Sequence, residues 1–142
     1  GLKIAEALLA NQPAVLEYVA ATADLAAKSG DYKRALAVLD AGTRHHPHSA
    51  PLLLLRGNLL LDLQQAEQAL PIVTRLIEGW PDDPRAHELA ARTYGALQRK
   101  IAAHEELALA HFLRGNAQAA VRQMETALRV PGVDFFNASR LE

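Results

Sequence analysis

Two histidine–glutamate pairs, His87-Glu88 and His104-Glu105, are the residues in this sequence best suited to chemistry. A zinc-hydrolase helix carries His-Glu-x-x-His, which sets two imidazoles one turn apart on one metal. Here His87-Glu88 runs on into Leu89, Ala90 and Ala91, and His104-Glu105 into Glu106, Leu107 and Ala108. The second histidine is missing both times, so both pairs are expected on solvated polar faces of helices. His45, His46 and His48 cluster around Pro47. Such clusters bind transition metals adventitiously, and an exposed loop is the expected setting. His104 and His111 are about two helical turns apart, too far for one ion. There is no glycine-rich phosphate loop and no motif around a serine nucleophile. The expected sets of catalytic, cofactor-binding and metal-ligating residues are therefore empty, and the chain is not expected to be an enzyme.

The elements that carry these residues are helices. Half of the 142 residues are hydrophobic, 22% are charged and only 5% aromatic. Alanine and leucine dominate, which favours helix over strand. A formal net charge of −1 gives no electrostatic reason to expect nucleic acid or an anionic membrane. Cysteine is absent, which excludes disulfides and thiolate metal sites. The longest apolar run, Pro51–Leu55, is far short of the ~20 residues that span a bilayer. Gly1-Leu2-Lys3 opens straight into a helix-like stretch, with no signal-peptide pattern. A chain of this size buries roughly 70% of its unfolded surface in one core.

Internal periodicity determines the architecture. Pro13, Pro47 and Pro81 recur at one constant interval; so do Ala35, Ala69 and Ala103, and Ala23, Gly57 and Ala91. That interval is the period of the tetratricopeptide repeat, which the sequence resembles on these columns. The expected fold is all-α, a solenoid of antiparallel helix pairs with about 8–9 helices. Small residues belong where two helices cross, proline where a second helix ends, and Gly30 and Gly115 at left-handed turns inside a pair. The spacing predicts helices over 2–11, 15–29, 32–45, 49–63, 66–79, 83–97, 100–113 and 117–130, with a short last helix near Asp134. In domain terms, 1–142 is a single repeat domain: a partial repeat 1–13, repeats 16–49, 50–83 and 84–117, a half-step unit 101–131 and a tail 132–142.

The half step is a break in the period. Ala103 is matched by Ala120 and Ala91 by Ala108, only half a repeat further on. Helix 100–113 is therefore expected to serve twice, as second helix to 83–97 and as first helix to 117–130. Its apolar residues Ile101, Leu107, Leu109, Phe112 and Leu113 surround most of the helix, as packing on two sides requires. Helix 49–63, with leucine at 52–55, 59–61 and 63, should be central.

Stacked pairs curve, and the first helix of each lines the inner face. The candidate protein-binding groove is Asp24, Leu54, Asn58, Leu61, Arg85, Glu88, Arg92, Glu105, Leu109 and Phe112, with Glu17 and Ala20 in the same register. Leu54 and Leu61 share a face, either as an exposed apolar strip for a partner or packed on a neighbouring helix. The Lys/Asn clamp that some tetratricopeptide domains close on chaperone tails is matched here only by Asn58. Arg85 and Arg92 suit an acidic group on a partner.

The second half is similar to a narrower family. Ala91-Arg92-Thr93-Tyr94-Gly95, Ala108-Leu109-Ala110-His111-Phe112-Leu113-Arg114-Gly115 and the tail Asp134-Phe135-Phe136-Asn137-Ala138-Ser139-Arg140-Leu141-Glu142 resemble the C-terminal repeat domain of the periplasmic β-barrel assembly-enhancing zinc metallopeptidases. That family has a half-step helix before its last unit and a similar aromatic tail. The resemblance implies an excised domain with the protease and its zinc upstream, in the periplasm. The implied partners are the outer-membrane assembly machinery, its substrates and the parent's own protease domain, with no nucleic acid and no membrane insertion. Phe135 and Phe136 would be docking contacts or caps on the last helix pair. The alternative is a free-standing adaptor of pilus or secretion-system assembly, cytoplasmic in that case.

Overall fold

The computed structural model describes residues 13–131; the expected helices over 2–11 and near Asp134, and the docking candidates Phe135 and Phe136, lie outside them. Among the described residues seven α-helices follow one another: α1 Pro13–Lys28, α2 Tyr32–His45, α3 Ala50–Asp62, α4 Ala66–Gly79, α5 Pro84–Ala96, α6 Lys100–Leu113 and α7 Ala117–Leu128. No strand occurs among the described residues. Each helix packs on the next in sequence, and the odd-numbered α1, α3 and α5 also touch in series. That is the packing of stacked helix pairs.

Two kinds of connection alternate, and local chemistry determines each. Within α1–α2, Gly30 adopts φ +83°. Its N–H reaches Ala27 O at 3.0 Å, and the Asp31 N–H reaches Ala26 O at 2.8 Å. This is a Schellman cap, in which a left-handed residue satisfies the orphan carbonyls of the last turn. The same pair of bonds recurs around Gln64, Gln98 and Gly115, all at positive φ. The left-handed residues thus fall at 30, 64, 98 and 115, two full periods and then a half. The residue after the glycine turns caps the next helix: Asp31 accepts from the Arg34 N–H and Asn116 from the Ala119 N–H.

Between pairs the chain turns through His46–Ser49 and Trp80–Asp83. Pro47 and Pro81 sit in these turns, one residue past the last helical N–H bond, from His46 to Gly42 O and from Trp80 to Leu76 O, whereas Pro13 opens α1. Ser49 and Asp83 then cap α3 and α5 through their side chains, and a proline occupies the first turn of each helix.

Helix α3 is the centre of the stack. Its Leu52 and Leu59 join a core with Ala23, Ala35 and Leu39 of α1 and α2. Its Leu53, Leu54 and Leu60 join a second core with Ile72, Val73 and Leu76 of α4 and Leu89 of α5. Burial of each such leucine contributes about 1.5–3 kcal/mol. The small-residue columns mark close approaches: Ala35 and Ala69 have no exposed surface. At Gly57 a Cβ would lie 2.5 Å from Leu89 Cδ2.

Helix α6 packs along α5 on one side and α7 on the other. The two contacts share their geometry. His87 Nδ1 of α5 lies 2.6 Å from Glu106 Oε2 of α6, and His104 Nδ1 of α6 lies 2.9 Å from Gln123 Oε1 of α7. Both partners shift by the same half repeat, so α6 faces α7 as α5 faces α6.

Candidate protein-binding groove

Because α3 and α5 are first helices of successive pairs and touch, their exposed sides form one surface. Pro51, Leu54, Leu55 and Asn58 of α3 and Arg85, Glu88, Leu89 and Arg92 of α5 line an open cavity of about 450 Å³. These are four repeat columns, 51/85, 54/88, 55/89 and 58/92, whose members stand one full repeat apart. The α1 members of those columns are Glu17, Ala20, Ala21 and Asp24. Helix α1 touches α3 in the same series.

The floor is apolar and the rim charged. Leu54 is 8% exposed and Leu89 2%. Asn58 donates from Nδ2 to Leu54 O at 2.9 Å and accepts from Arg92 Nη1. Arg92 Nη2 also lies 3.4 Å from Asp62 Oδ1. Arg85 grips Asp83 with two side-chain bonds, Nε–Oδ1 at 3.1 Å and Nη2–Oδ2 at 2.8 Å. Those bonds hold the Asp83 carboxyl below its ordinary range, and Asp83 in turn raises Arg85. Glu88 accepts from Arg114 Nε at 2.7 Å, which joins α5 to the end of α6. Each guanidinium has five N–H donors, more than these partners engage. The rim can therefore bind a carboxylate or peptide carbonyl without first losing its internal bonds.

Five candidate residues, Leu54, Asn58, Arg85, Glu88 and Arg92, meet in this cavity; the other five do not line it. Asp24 is exposed and pairs with Lys28 at 2.8 Å. Leu61 is partly buried against the second core. With Leu54 also buried, the exposed apolar strip does not exist, because α3 turns those leucines toward α4 and α5. Glu105 is half-buried on α6, while Leu109 and Phe112 are exposed on it, Phe112 at 65%. Pro51, Leu55 and Leu89 are not among the sequence candidates. The column that holds Arg85 would have pointed to Pro51, while Leu55 and Leu89 share a column that held no candidate.

The histidines are not placed as the motifs suggest. His87 is 5% exposed, not on a solvated face. Its ring lies between Glu106 Oε2 and Pro81 O, the latter 2.7 Å from Nε2. In the repeat register His87 and Glu106 correspond to Leu53 and Ile72 of the second core, so a polar pair stands where the preceding helix pair has an apolar one. His45, His46 and His48 line a second open cavity of about 640 Å³, which shares Pro51 and Arg85 with the groove. Arg75 of α4 holds that loop by donating to Pro47 O. Among the described residues, no three His, Asp or Glu side chains are grouped to hold a metal. None of the described helices is long and apolar enough to cross a membrane.

Residues 26–93 match the tetratricopeptide repeat family profile. No curated protein matches the chain significantly. Among solved structures, the chain is similar to MamA from Desulfovibrio magneticus RS-1, residues 41 to the end, with 21% identity and a TM-score of 0.54 over 79% of this chain and 73% of that one. It is equally similar to the ArsTM double mutant of MamA RS-1, with 21% identity and a TM-score of 0.54 over 79% and 72%. The described residues thus form an all-helical fold of the tetratricopeptide-repeat type, and the match to the repeat family profile covers residues 26–93.

Proposed function

We propose that this domain is a protein-interaction scaffold that holds an extended segment of a partner in the groove between α3 and α5. The observation that carries this reading is the convergence of four repeat columns on one open cavity with an apolar floor and an Asn/Arg/Glu rim. Side chains of that kind hold a peptide through its backbone and its acidic groups. We further propose that the scaffold is the repeat arm of a periplasmic zinc metallopeptidase of outer-membrane protein assembly. The motifs around Arg92, Phe112 and Arg114 support this. So does the half step between Gln98 and Gly115 before the last described helix. The zinc would belong to the parent's protease domain. Partners would be the assembly machinery and unfolded outer-membrane proteins.

Site-specific photo-crosslinking in cells tests both parts. Probes at Leu55 and Arg92, in the groove, are expected to capture outer-membrane assembly components. Probes at the exposed Glu67 and Thr74 of α4 are expected to capture none. Equal capture from α4 would remove the groove from the reading. Capture of pilus or secretion-system components from the groove would instead identify an adaptor of those systems. A His-Glu-x-x-His helix encoded upstream of Gly1 in the parent gene is the second expected result.

A further inference from the structure

The pair His87 and Glu106 occupies a core position with unusual demands. Only 6% of the His87 side chain and 18% of the Glu106 side chain are exposed. Both ring nitrogens face oxygen: Nδ1 meets the carboxylate at 2.6 Å and Nε2 meets Pro81 O at 2.7 Å. A carbonyl only accepts, so Nε2 must carry a proton. A neutral ring then has a bare lone pair at Nδ1, directed at a carboxylate oxygen. The contact at 2.6 Å is bonding only if one more proton lies between Nδ1 and Oε2.

We propose that His87 and Glu106 form a proton-dependent latch, which ties α5 to both α6 and the α4–α5 turn while that proton is held and loosens when it is lost.

The surroundings favour retention of the proton. The charged groups that act on the ring are Glu106 of α6 and Asp83 of the α4–α5 turn, both acidic. The faces of α3 and α4 that pack on α5 supply Leu53, Leu54, Leu60, Ile72, Val73 and Leu76 to the shared core. On α5 itself, Arg85 is committed to Asp83 and Glu88 to Arg114. Burial of the ring opposes its charge. The bonds to Glu106 and Pro81 O and the two acidic charges outweigh it, so the His87 pKa is raised. A group whose folded pKa is raised contributes its full stabilisation below the unfolded value and loses it as pH rises through the folded value. The latch is therefore closed in mild acid and opens above the ordinary histidine range. The equivalent contact of the next pair, His104 with Gln123, has an amide in place of the carboxylate. It lacks the charge that a latch of this kind requires.

The repeat register supplies the test. In His87→Leu/Glu106→Ile the pair takes the residues of Leu53 and Ile72, so the variant is expected to fold. Thermal unfolding of wild type and variant is followed from mildly acidic to mildly alkaline pH. The wild-type Tm is expected to fall, relative to that of the variant, as pH rises above about 6.5. Amide protection in α6, taken relative to the intrinsic base-catalysed exchange rate, should fall over the same interval in the wild type alone. In Glu106→Gln, the NMR titration midpoint of the His87 ring should move down from its wild-type position. Parallel Tm profiles for wild type and double variant would overturn the proposal. So would an unshifted His87 midpoint in Glu106→Gln.

Discussion

Leu89 of α5 lies across Gly57 of α3, with its Cδ2 2.5 Å from the place a Cβ would occupy. This contact brings the first helices of two successive pairs close enough to share a groove, and it exists because position 57 has no side chain. Gly57→Val is expected to destabilise by about 1–3 kcal/mol, since Leu89 is 2% exposed and packed on all sides. Gly57→Ala should cost less, because better helix propensity offsets part of the clash by about 1 kcal/mol. Urea unfolding of the two variants checks this. Wild-type midpoints in both would mean that α3 and α5 are not held at this distance.

Gln64 and Gln98 have φ of 59° and 63°, in turns where the equivalent residues are Gly30 and Gly115. A side chain there costs about 1 kcal/mol that glycine avoids. Gln64→Gly and Gln98→Gly are each expected to stabilise by about 0.5–1 kcal/mol, additively, since the turns close different helix pairs. Differential scanning calorimetry of the single and double variants measures it. A loss of stability in both would count against the left-handed turns.

Leu54 and Asn58 are one turn apart but play different parts. Leu54→Glu places a charge in the second core and should abolish cooperative unfolding. Asn58→Ala should keep the far-UV dichroism of the wild type and weaken partner capture, because it removes the acceptor that orients Arg92. A native-like Leu54→Glu would show that the floor of the groove is solvent. Ala69→Leu, at a site with no exposed surface, is expected to cost about 1–3 kcal/mol by overpacking.

Asp83 both caps α5 and pairs with Arg85. Its lowered pKa means that its contribution is present above the ordinary carboxylate range and lost as pH falls through the folded value. Asp83→Ala should cost about 0.5–2 kcal/mol at neutral pH, whereas Asp83→Asn keeps the cap and should cost less. The difference between wild type and Asp83→Ala should shrink in acid titrations of stability. A difference that stays constant into strong acid would rule out the ion pair as its source.

The alanine and proline columns are enough to identify the helix pairs and the class of fold, because a repeat of this period has few physical solutions. Local signals also place the left-handed turns at Gly30 and Gly115, where glycine is the least strained residue. Gln64 and Gln98 adopt the same turn without glycine, and only their register with Gly30 marks them. Five groove residues are readable by register, since a column that faces inward in one repeat faces inward in the next. What the register does not decide is depth. Spacing alone puts Leu54 and Arg85 on one face, yet one is floor and the other rim. The crossing of α3 with α5 at Gly57 determines which is which.

The histidines show the same division most clearly. The absent second histidine of each His-Glu pair argues from sequence alone against a zinc helix. By sequence alone both His87 and Glu88 read as residues of solvated polar faces, although consecutive helical residues point about 100° apart. The tertiary structure turns His87 into the core against Glu106 of the next helix, and leaves Glu88 on the rim with Arg114. Sequence period determined that helices would stack in pairs, because each pair must bury the same small and apolar columns. Which polar residues would be trapped between the pairs was decided only by how closely α5, α6 and α7 pack, since burial depends on neighbours from other turns of the solenoid.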